Sequence, residues 1–543
     1  MSCGIREWVE VVATLYAPTQ ARKVWILTFE FSGIVKVGGL GEAVSTIAHE
    51  LSRRGFEVTA IMPSHGLRPH GFKELGAGCS GVRYGADGRE YSYDLTLLEG
   101  YVGNVRVVLI GGRSGSPQQP VDVWPPYSYV EEKACLLARA TRCLTQIYGY
   151  PDLVHTNDWH TALAASVLKV DAERQGYALP VLYQIHLRGS PSFPWHYGSE
   201  QWCGLPNTQQ RVWAVERHVF EWTQRLWDSC WGNVECFAVR VADAVVTVSR
   251  SEVELLSKDY GRYVKEKACY SYNSTAWNLK EVEDIALKHF NTYRRCEVRW
   301  EALGEVLRRV PSWGYVDLGD AEVLVVASGR LTPQKGFDVL LQSAQYLPHS
   351  TKIVILGRRV GDEGYEFYLR SLLSYSWGRS AVVYGDIDQD LYKLLVYASH
   401  VYVLPSRYEP FGISAIEALA VGTLVVVSDV GGLGEYVADL RATPLGVGLK
   451  VPPDNVYELA RAVQSLGYLM YYSESGKGFD KITMEELRVI ALREPKFGEK
   501  LRSLAVAYVD AFFRPEHTVN NILACYELAR QMAYYRAVTK FPE

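Results

Sequence analysis

No apolar run in this chain reaches the roughly 18 residues that suggest a membrane-spanning helix, so no membrane association is expected. Positive charge is not in excess either. The 57 Lys and Arg against 61 Asp and Glu leave a formal net charge of -4, which argues against a nucleic-acid binder working through a globally basic surface. The opening Met1-Ser2-Cys3-Gly4 has no basic segment followed by an apolar stretch, so secretion is not expected and the cytoplasm is the default. The sequon at Asn273-Ser274-Thr275 is discounted on the same ground. Ten scattered cysteines, Cys230 and Cys236 being the nearest pair, show no CxxC or zinc-type spacing. Buried free thiols are expected, with disulfides only if the source is a hyperthermophile. No repeat or low-complexity tract stands out, and the glycine loop at 36–41 does not have the GxGxxG spacing. What is present, 543 residues that are 48% apolar and 22% charged, is the composition of a folded chain of two or more domains.

Strand and helix patterns alternate. Lys23 to Phe29 reads as a β-rich strand, followed by the loop Lys36-Val37-Gly38-Gly39-Leu40-Gly41. A helix then carries Val44, Ile47, Ala48 and Leu51 on one face, and Glu57 to Pro63 is the next strand. Further strands read at 152–157, 180–186 and 244–249. A second series begins near Glu322, with strands at 322–328, 351–357, 381–386, 400–406 and 424–428 separated by helices. The expected architecture is α/β: two doubly wound Rossmann-like domains facing a cleft. The first spans 1–264 with an aromatic-rich insertion at about 188–240. A helical connection spans 265–320, the second domain spans 321–514, and a C-terminal helix at 515–543 packs back on the first domain.

Four constellations carry chemistry. Lys36 with Gly38, Gly39 and Gly41 lies between a strand and a helix, where backbone approaches closely and the helix end attracts anions. The competing reading is a tight turn with a solvated lysine. In Ser328-Gly329-Arg330-Leu331-Thr332-Pro333-Gln334-Lys335-Gly336, two permanent cations five residues apart suit a pyrophosphate clamp. A solvated basic turn is the alternative. In Arg407-Tyr408-Glu409-Pro410-Phe411-Gly412-Ile413-Ser414-Ala415-Ile416-Glu417, the two glutamates are about 12 Å apart on an ideal helix rise, a scale that suits a sugar and a ribose with diphosphate between them. Glu417 alone would pass for a solvated helix carboxylate. In His155-Thr156-Asn157-Asp158-Trp159-His160, Asp158 or Thr161 is expected to cap a helix, and the positive helix end disfavours protonation of His160.

Together these segments resemble the glycogen synthases of bacteria and archaea and the starch synthases of plants, retaining glycosyltransferases of the GT-B type. The segments are KVGGLG, NDWH, SGRLTPQKG and SRYEPFGISAIEAL, in that order across roughly residues 23–470. The later Asp429-Val430-Gly431-Gly432-Leu433-Gly434-Glu435 resembles the family's second glycine-leucine loop, which approaches the donor phosphates. The resemblance implies transfer of glucose from ADP-glucose or UDP-glucose to the non-reducing end of an α-1,4-glucan with retention, without cofactor or metal. It implies that Arg330 and Lys335 hold the diphosphate, Glu409 contacts the donor glucose and His160 lies against the transferred sugar. Lys36, Gly38, Gly39, Phe411, Gly412, Glu417, Gly431 and Gly432 then line the donor site. The partners implied are a nucleoside diphosphate glucose and a glucan such as glycogen, with no nucleic acid and no membrane. Departures are Asn273-Ser274-Thr275-Ala276 before Trp277, Arg250 after Val248-Ser249, and Asp386 where an aromatic would stack on the donor base. Transfer to make trehalose, sucrose or a glycolipid is the alternative, and a non-catalytic sugar-nucleotide binder is a more distant one.

Six of the 14 tryptophans fall between Trp195 and Trp231. Their faces could stack on glucose rings, with Trp195 and Trp202 as acceptor candidates. The competing reading is packing, with Trp213, Trp222, Trp227 and Trp231 in a helical stretch.

Overall fold

The computed structural model describes residues 16–18, 20–443, 445–494 and 496–539. Met1-Ser2-Cys3-Gly4 lies outside them. The first compact unit is Met1–Ser271 with Thr518–Glu543, and the second is Tyr272–His517. Residues 272–320 therefore belong to the second unit instead of forming a separate connection.

The first unit carries β1 (Lys23–Leu27), β2 (Glu57–Pro63), β3 (Lys73–Tyr84), β4 (Glu90–Val102), β5 (Val105–Gly112), β6 (Leu153–Asn157), β7 (Val181–Ile185), β8 (Gln209–Ala214), β9 (Arg217–Trp222), β10 (Ala244–Thr247) and β11 (Ala268–Tyr270). Nine of them form one sheet in the order β11-β10-β7-β6-β1-β2-β5-β4-β3. All pairings are parallel except β5–β4 and β4–β3. The strand order reverses between β1 and β6, which is where a doubly wound sheet opens a ligand crevice. Alternation along β1 explains why this strand is central. Trp25 and Leu27 enter one core, Val24 and Ile26 enter the core on the opposite face, and all four are fully buried.

The C-terminal helix (Pro515–Val538) covers the second of those faces with Val519, Ile522, Tyr526 and Ala529. Three further ties hold it to the first unit. Cys525 is disulfide-bonded to Cys269 on β11. The Tyr526 hydroxyl donates to His155 Nδ1 at 3.0 Å, while His155 Nε2–H donates to Gln184 Oε1 at 2.8 Å. Arg536, fully buried, donates to both oxygens of Asp243 at 2.8 and 3.1 Å.

The second unit carries β12 (Ser312–Val316), β13 (Val323–Arg330), β14 (Thr351–Arg358), β15 (Arg379–Val383), β16 (Val401–Leu404), β17 (Leu424–Ser428) and β18 (Gly448–Val451). Their order is β12-β15-β14-β13-β16-β17-β18, parallel throughout except for the edge strand β12. The reversal here falls between β13 and β16.

Two expectations fail. The free-thiol reading is overturned: Cys79–Cys143, Cys230–Cys236 and Cys269–Cys525 are disulfides, while Cys135, Cys203 and Cys296 are free. Cysteine spacing in sequence carries no information about pairs brought together by the sheet, and 256 residues separate one of these pairs. Cys3 lies outside the described residues. The sequence does not single out β3, β4 and β5; β3 and β4 are antiparallel and rich in Gly, Tyr and charge, and β5 is parallel to β2. Finally, Trp213 and Trp222 sit on the hairpin β8–β9 and not on a helix. Only Trp227 of that group is helical, in the short helix Thr223–Ser229.

Candidate active site

The four motifs lie at the carboxyl ends of the strands that flank the two reversal points: β1 and β6 in the first unit, β13 and β16 in the second. Each unit is taken by itself.

In the second unit, β13 delivers Gly329 and Arg330 to the sheet end, and a tight turn returns the chain at Lys335. Gly336 is in the left-handed region at φ +64°, and a Cβ there would sit 2.0 Å from the Pro405 carbonyl oxygen. Only glycine lets the Arg330–Lys335 loop close against the end of β16. Lys335 Nζ then donates to Glu409 Oε2 at 2.5 Å, and the Ser406 hydroxyl donates to the same oxygen at 3.2 Å. Glu409 is buried, so this ion pair is shielded from solvent. Arg330 is half-buried, and no ion pair among the described residues holds it. Its cation is available to a ligand at the sheet end.

Arg407 is a structural member of its motif. Its guanidinium grips Asp338 at 2.7 and 3.0 Å and Asp454 at 2.7 Å, tying the Glu409 loop to the helix Phe337–Ser343. The Phe411 ring is withdrawn from any donor. It is buried against Tyr436 and Phe513, with ring centroids at 4.8 and 6.1 Å. Only its backbone can face a ligand. Gly412, at φ +90°, starts the helix Ile413–Ala420 that carries Glu417. Glu417 lies beside the buried hydroxyls of Tyr392 and Tyr402 and helps raise their pKa values. Burial is the larger cause. Ser328 Oγ bonds both tyrosines, at 2.9 and 2.5 Å. Gly431 and Gly432 are required by the neighbouring backbone: Cβ atoms there would come within 2.0 Å of the Glu409 carbonyl and 2.6 Å of the Pro410 carbonyl.

In the first unit, Lys36 is half-exposed and paired with Glu42 at 2.9 Å. The amides of Val37 and Gly38 are already taken by Glu30 Oε2, at 2.6 and 2.9 Å. Tyr127 OH donates to the other Glu30 oxygen at 2.5 Å. Anion attraction at this loop therefore falls to the helix Gly39–Arg53 and to Lys36, because a protein carboxylate occupies the two amides before it.

His160 opens the helix Trp159–Arg174. Its ring packs on Phe29 at 4.3 Å and edge-on to Tyr127 at 5.7 Å. Burial, with a smaller contribution from His65, pulls its pKa from 6.5 down to about 3. The imidazole is neutral at pH 7, but burial outweighs the helix end as the reason. Its Nε2 is buried without a hydrogen-bond partner among the described residues. An orphaned buried nitrogen costs about 1–3 kcal/mol, so its retention suits a group that receives a ligand hydroxyl.

Asp158 does not cap its helix. Its Oδ1 accepts from the amides of His186 and Leu187 at 2.8 and 3.4 Å, and burial raises its pKa to about 7. Thr161 Oγ1 holds the turn instead, accepting from the Asn157 amide at 2.9 Å.

Reading the sequence missed Glu30, Tyr127, His65 and Lys133. Lys133 Nζ donates to the Val123 and Pro126 carbonyls at 2.6 and 2.8 Å and to His65 Nδ1 at 3.1 Å, which places the His65 proton on Nε2, bonded to the Phe29 carbonyl at 2.9 Å. Burial lowers the pKa of Lys133 to about 8. The available signal was Glu30 itself, a carboxylate inside the apolar run KVWILTFEF.

The acceptor candidates fare unequally. Trp202 is buried under the Arg83 guanidinium, 4.1 Å from the ring centroid, so it offers no face to a sugar. Trp195 is half-buried and edge-on to Trp227 at 5.9 Å.

Comparison with known proteins agrees with this geometry. Residues 23–267 match the family described as the starch synthase catalytic domain, and residues 317–467 match glycosyl transferases group 1. Glycogen synthase 1 of Methylococcus capsulatus is 28% identical over 456 residues, covering 78% of this chain and 84% of that protein. The glycogen synthase of Thermotoga petrophila is 26% identical over 476 residues, covering 83% and 92%. Among solved structures, the catalytic domain of starch synthase IV from Arabidopsis thaliana, bound to ADP and acarbose, superposes with a TM-score of 0.70 at 19% identity, covering 94% of this chain and all of that one. The sucrose-phosphate synthase of Thermosynechococcus elongatus follows at 0.57 and 20%. Two Rossmann-like units with parallel sheets and these neighbours define a GT-B glycosyltransferase. Within that class, the chain is similar to the glycogen and starch synthases over most of its length.

Proposed function

We propose that this enzyme transfers glucose from ADP-glucose or UDP-glucose to the non-reducing end of an α-1,4-glucan, with retention at the anomeric carbon. The observation that carries the proposal is the cluster of Arg330, Lys335 and Glu409 at the β13/β16 reversal of the second sheet. Two cations suit a departing nucleoside diphosphate, whose charge grows as the glycosidic bond breaks. Glu409, already hydrogen-bonded, is suited to accept from a glucose hydroxyl, with Lys335 exchanging part of its ion pair for phosphate. Glu417 takes the ribose in this reading. The first unit contributes Lys36, Gly38 and Gly39 to the donor. His160 contributes a neutral Nε2 that exchanges a hydrogen bond with a sugar hydroxyl.

Retention without a protein nucleophile follows if the leaving phosphate accepts the acceptor's proton on the face it departs from. Glu409, neutralised by Lys335, is a poor nucleophile and is not cast as one. The test is incubation with ADP-glucose and with UDP-glucose, with and without glycogen, measuring glucose incorporated into polymer. Incorporation with either donor, in chains degraded by an α-1,4-specific amylase, is the expected result. No incorporation with either donor overturns the reading.

A further inference from the structure

We propose that Cys135 and Cys203 are a redox site that closes to a fourth disulfide by exchange with a low-molecular-weight disulfide. Both are free and fully buried within the first unit. Cys135 lies in the middle of the helix Val130–Tyr148, and Cys203 lies in the turn after Trp202. The Cys135 thiol donates to the Trp202 carbonyl at 3.0 Å, the carbonyl bonded to the nitrogen of Cys203. The Cys203 thiol donates to the Tyr197 carbonyl at 2.7 Å. The turn that carries Cys203 is already held to the helix. Arg139 on that helix donates to the carbonyls of Glu200, Gln201 and Trp202 at 2.7, 2.9 and 3.2 Å.

A third group sets the chemistry. The Arg83 guanidinium, stacked over the Trp202 ring, places Nη1 3.5 Å from Cys135 Sγ. A fixed cation beside a thiol favours its thiolate, and the thiolate is the nucleophile of disulfide exchange. Arg83 also pairs with Glu132, which moderates its field. Burial alone would raise the Cys135 pKa, but its neighbours, the Arg83 cation among them, bring it down overall, whereas burial drives Cys203 well up. The pair thus has one sulfur suited to attack and a second that keeps its proton until it is needed.

The step balances with a small disulfide RSSR as oxidant. The Cys135 thiolate attacks one sulfur of RSSR, forms Cys135–S–SR and releases RS⁻. Cys203 then loses its proton and attacks the Cys135 sulfur, expelling the second RS⁻. The protein is oxidised by two electrons, RSSR is reduced by two, and both protons finish on the released thiols. The product staples the helix Val130–Tyr148 to the turn at the start of the aromatic-rich segment.

The test uses the full-length enzyme, with Cys296, exposed and free, as an internal control. Protein is held with excess oxidised glutathione about ten degrees below its Tm, so that local opening exposes the buried pair. It is then denatured in an alkylating agent and mapped by peptide mass spectrometry without reductant. The expected result is a peptide linking Cys135 to Cys203, lost on reduction, while Cys296 carries glutathione. In Cys203→Ser, Cys135 should instead be recovered as the glutathione mixed disulfide, because the resolving sulfur is gone. Oxidation of the wild type should raise Tm, and the same treatment of Cys203→Ser should not. Recovery of both cysteines alkylated in the wild type, with Cys296 modified, overturns the proposal. Glutathione on both cysteines without a link overturns it as well. If Cys203→Ser does not fold, the wild-type map decides alone.

Discussion

Arg536 should be the most sensitive single position for the stability of the first unit. It enters from the C-terminal helix, is fully buried, and donates to both oxygens of Asp243, itself 3% exposed. It also donates to the Leu179 carbonyl at 2.8 Å and pairs with Glu173. Replacing it with Met removes the cation and leaves Asp243 buried. Breaking a buried pair from one side costs about 3–5 kcal/mol, much of it the stranded charge. Two residual partners argue for the lower half of that range: the Val181 amide at 3.0 Å and Lys169 Nζ at 3.9 Å both still face Asp243. The helix cannot simply drift away, because the Cys269–Cys525 disulfide keeps it attached.

At about 2.1 cal/mol/K per residue, a unit of about 300 residues has an unfolding entropy near 0.6 kcal/mol/K, so a loss of about 3–4 kcal/mol lowers Tm by about 5–7 °C. The double variant Arg536→Met with Asp243→Asn removes both charges and should recover more than half of that loss. Calorimetry on the two single variants and the double gives the cycle directly. A Tm within about 1 °C of wild type for Arg536→Met would refute the reasoning, and so would a double variant no better than the worse single one.

Arg330→Ala should lower turnover about 100–1000-fold with Tm nearly unchanged, since it lies at the end of β13 outside the core and no ion pair among the described residues holds it, whereas Lys335→Ala should lower turnover similarly and also lower Tm, because it strands the buried Glu409 carboxylate; steady-state kinetics beside a melting curve checks both. The first unit should lose stability in acid. The pKa values of His65 and His155 are pulled to about 4, and those of His160, His186 and His218 to about 3, by burial. The unfolded chain therefore binds protons below pH 6.5 that the folded one refuses. At pH 5 each costs about 2 kcal/mol, partly offset by Asp158, whose raised pKa of about 7 makes the folded state take up a proton between pH 7 and 4. Melting curves at pH 7 and pH 5 should show a falling Tm, and a flat profile would sink the argument. Trp202→Ala should lower Tm by several degrees without a selective rise in KM for glycogen, because its ring is buried under Arg83.

What could be read from sequence follows a physical division. Most of the parallel strands were legible because they are buried on both faces and read as apolar, β-rich runs, as in LVVVS of β17; the parallel strands β5, β11 and β18 were not read. The loops that follow them were legible because glycine and a fixed charge cluster there for reasons local to the turn. Gly336 shows this: its positive φ and its contact with Pro405 are set within the loops that also place Lys335. Elements whose pattern depends on a partner were not legible. β3 carries Gly, Ser and charge in place of a β-branched run, and the disulfides pair residues that only the fold brings together.

The site divides in the same way. Arg330, Lys335 and Glu409 were found because charge in a sheet-end loop is conspicuous in a sequence. The shell that makes His160 useful was not, because it is assembled from Phe29 and Glu30 just after β1, His65 two residues beyond β2 and the segment around Tyr127, each ordinary when read alone. Phe29 and Tyr127 bury the imidazole, Glu30 ties Tyr127 to the Val37–Gly38 amides, and Lys133 fixes the tautomer of His65. Together they keep a histidine neutral and its Nε2 unpartnered. A neutral imidazole can donate or accept according to tautomer, which an imidazolium cannot, and that freedom suits a sugar hydroxyl that is itself both donor and acceptor. The same burial that prepares His160 for such a ligand makes the folded unit sensitive to acid. Site preorganisation and acid lability therefore have one cause in this chain, and a variant that relieves one by exposing His160 should relieve the other.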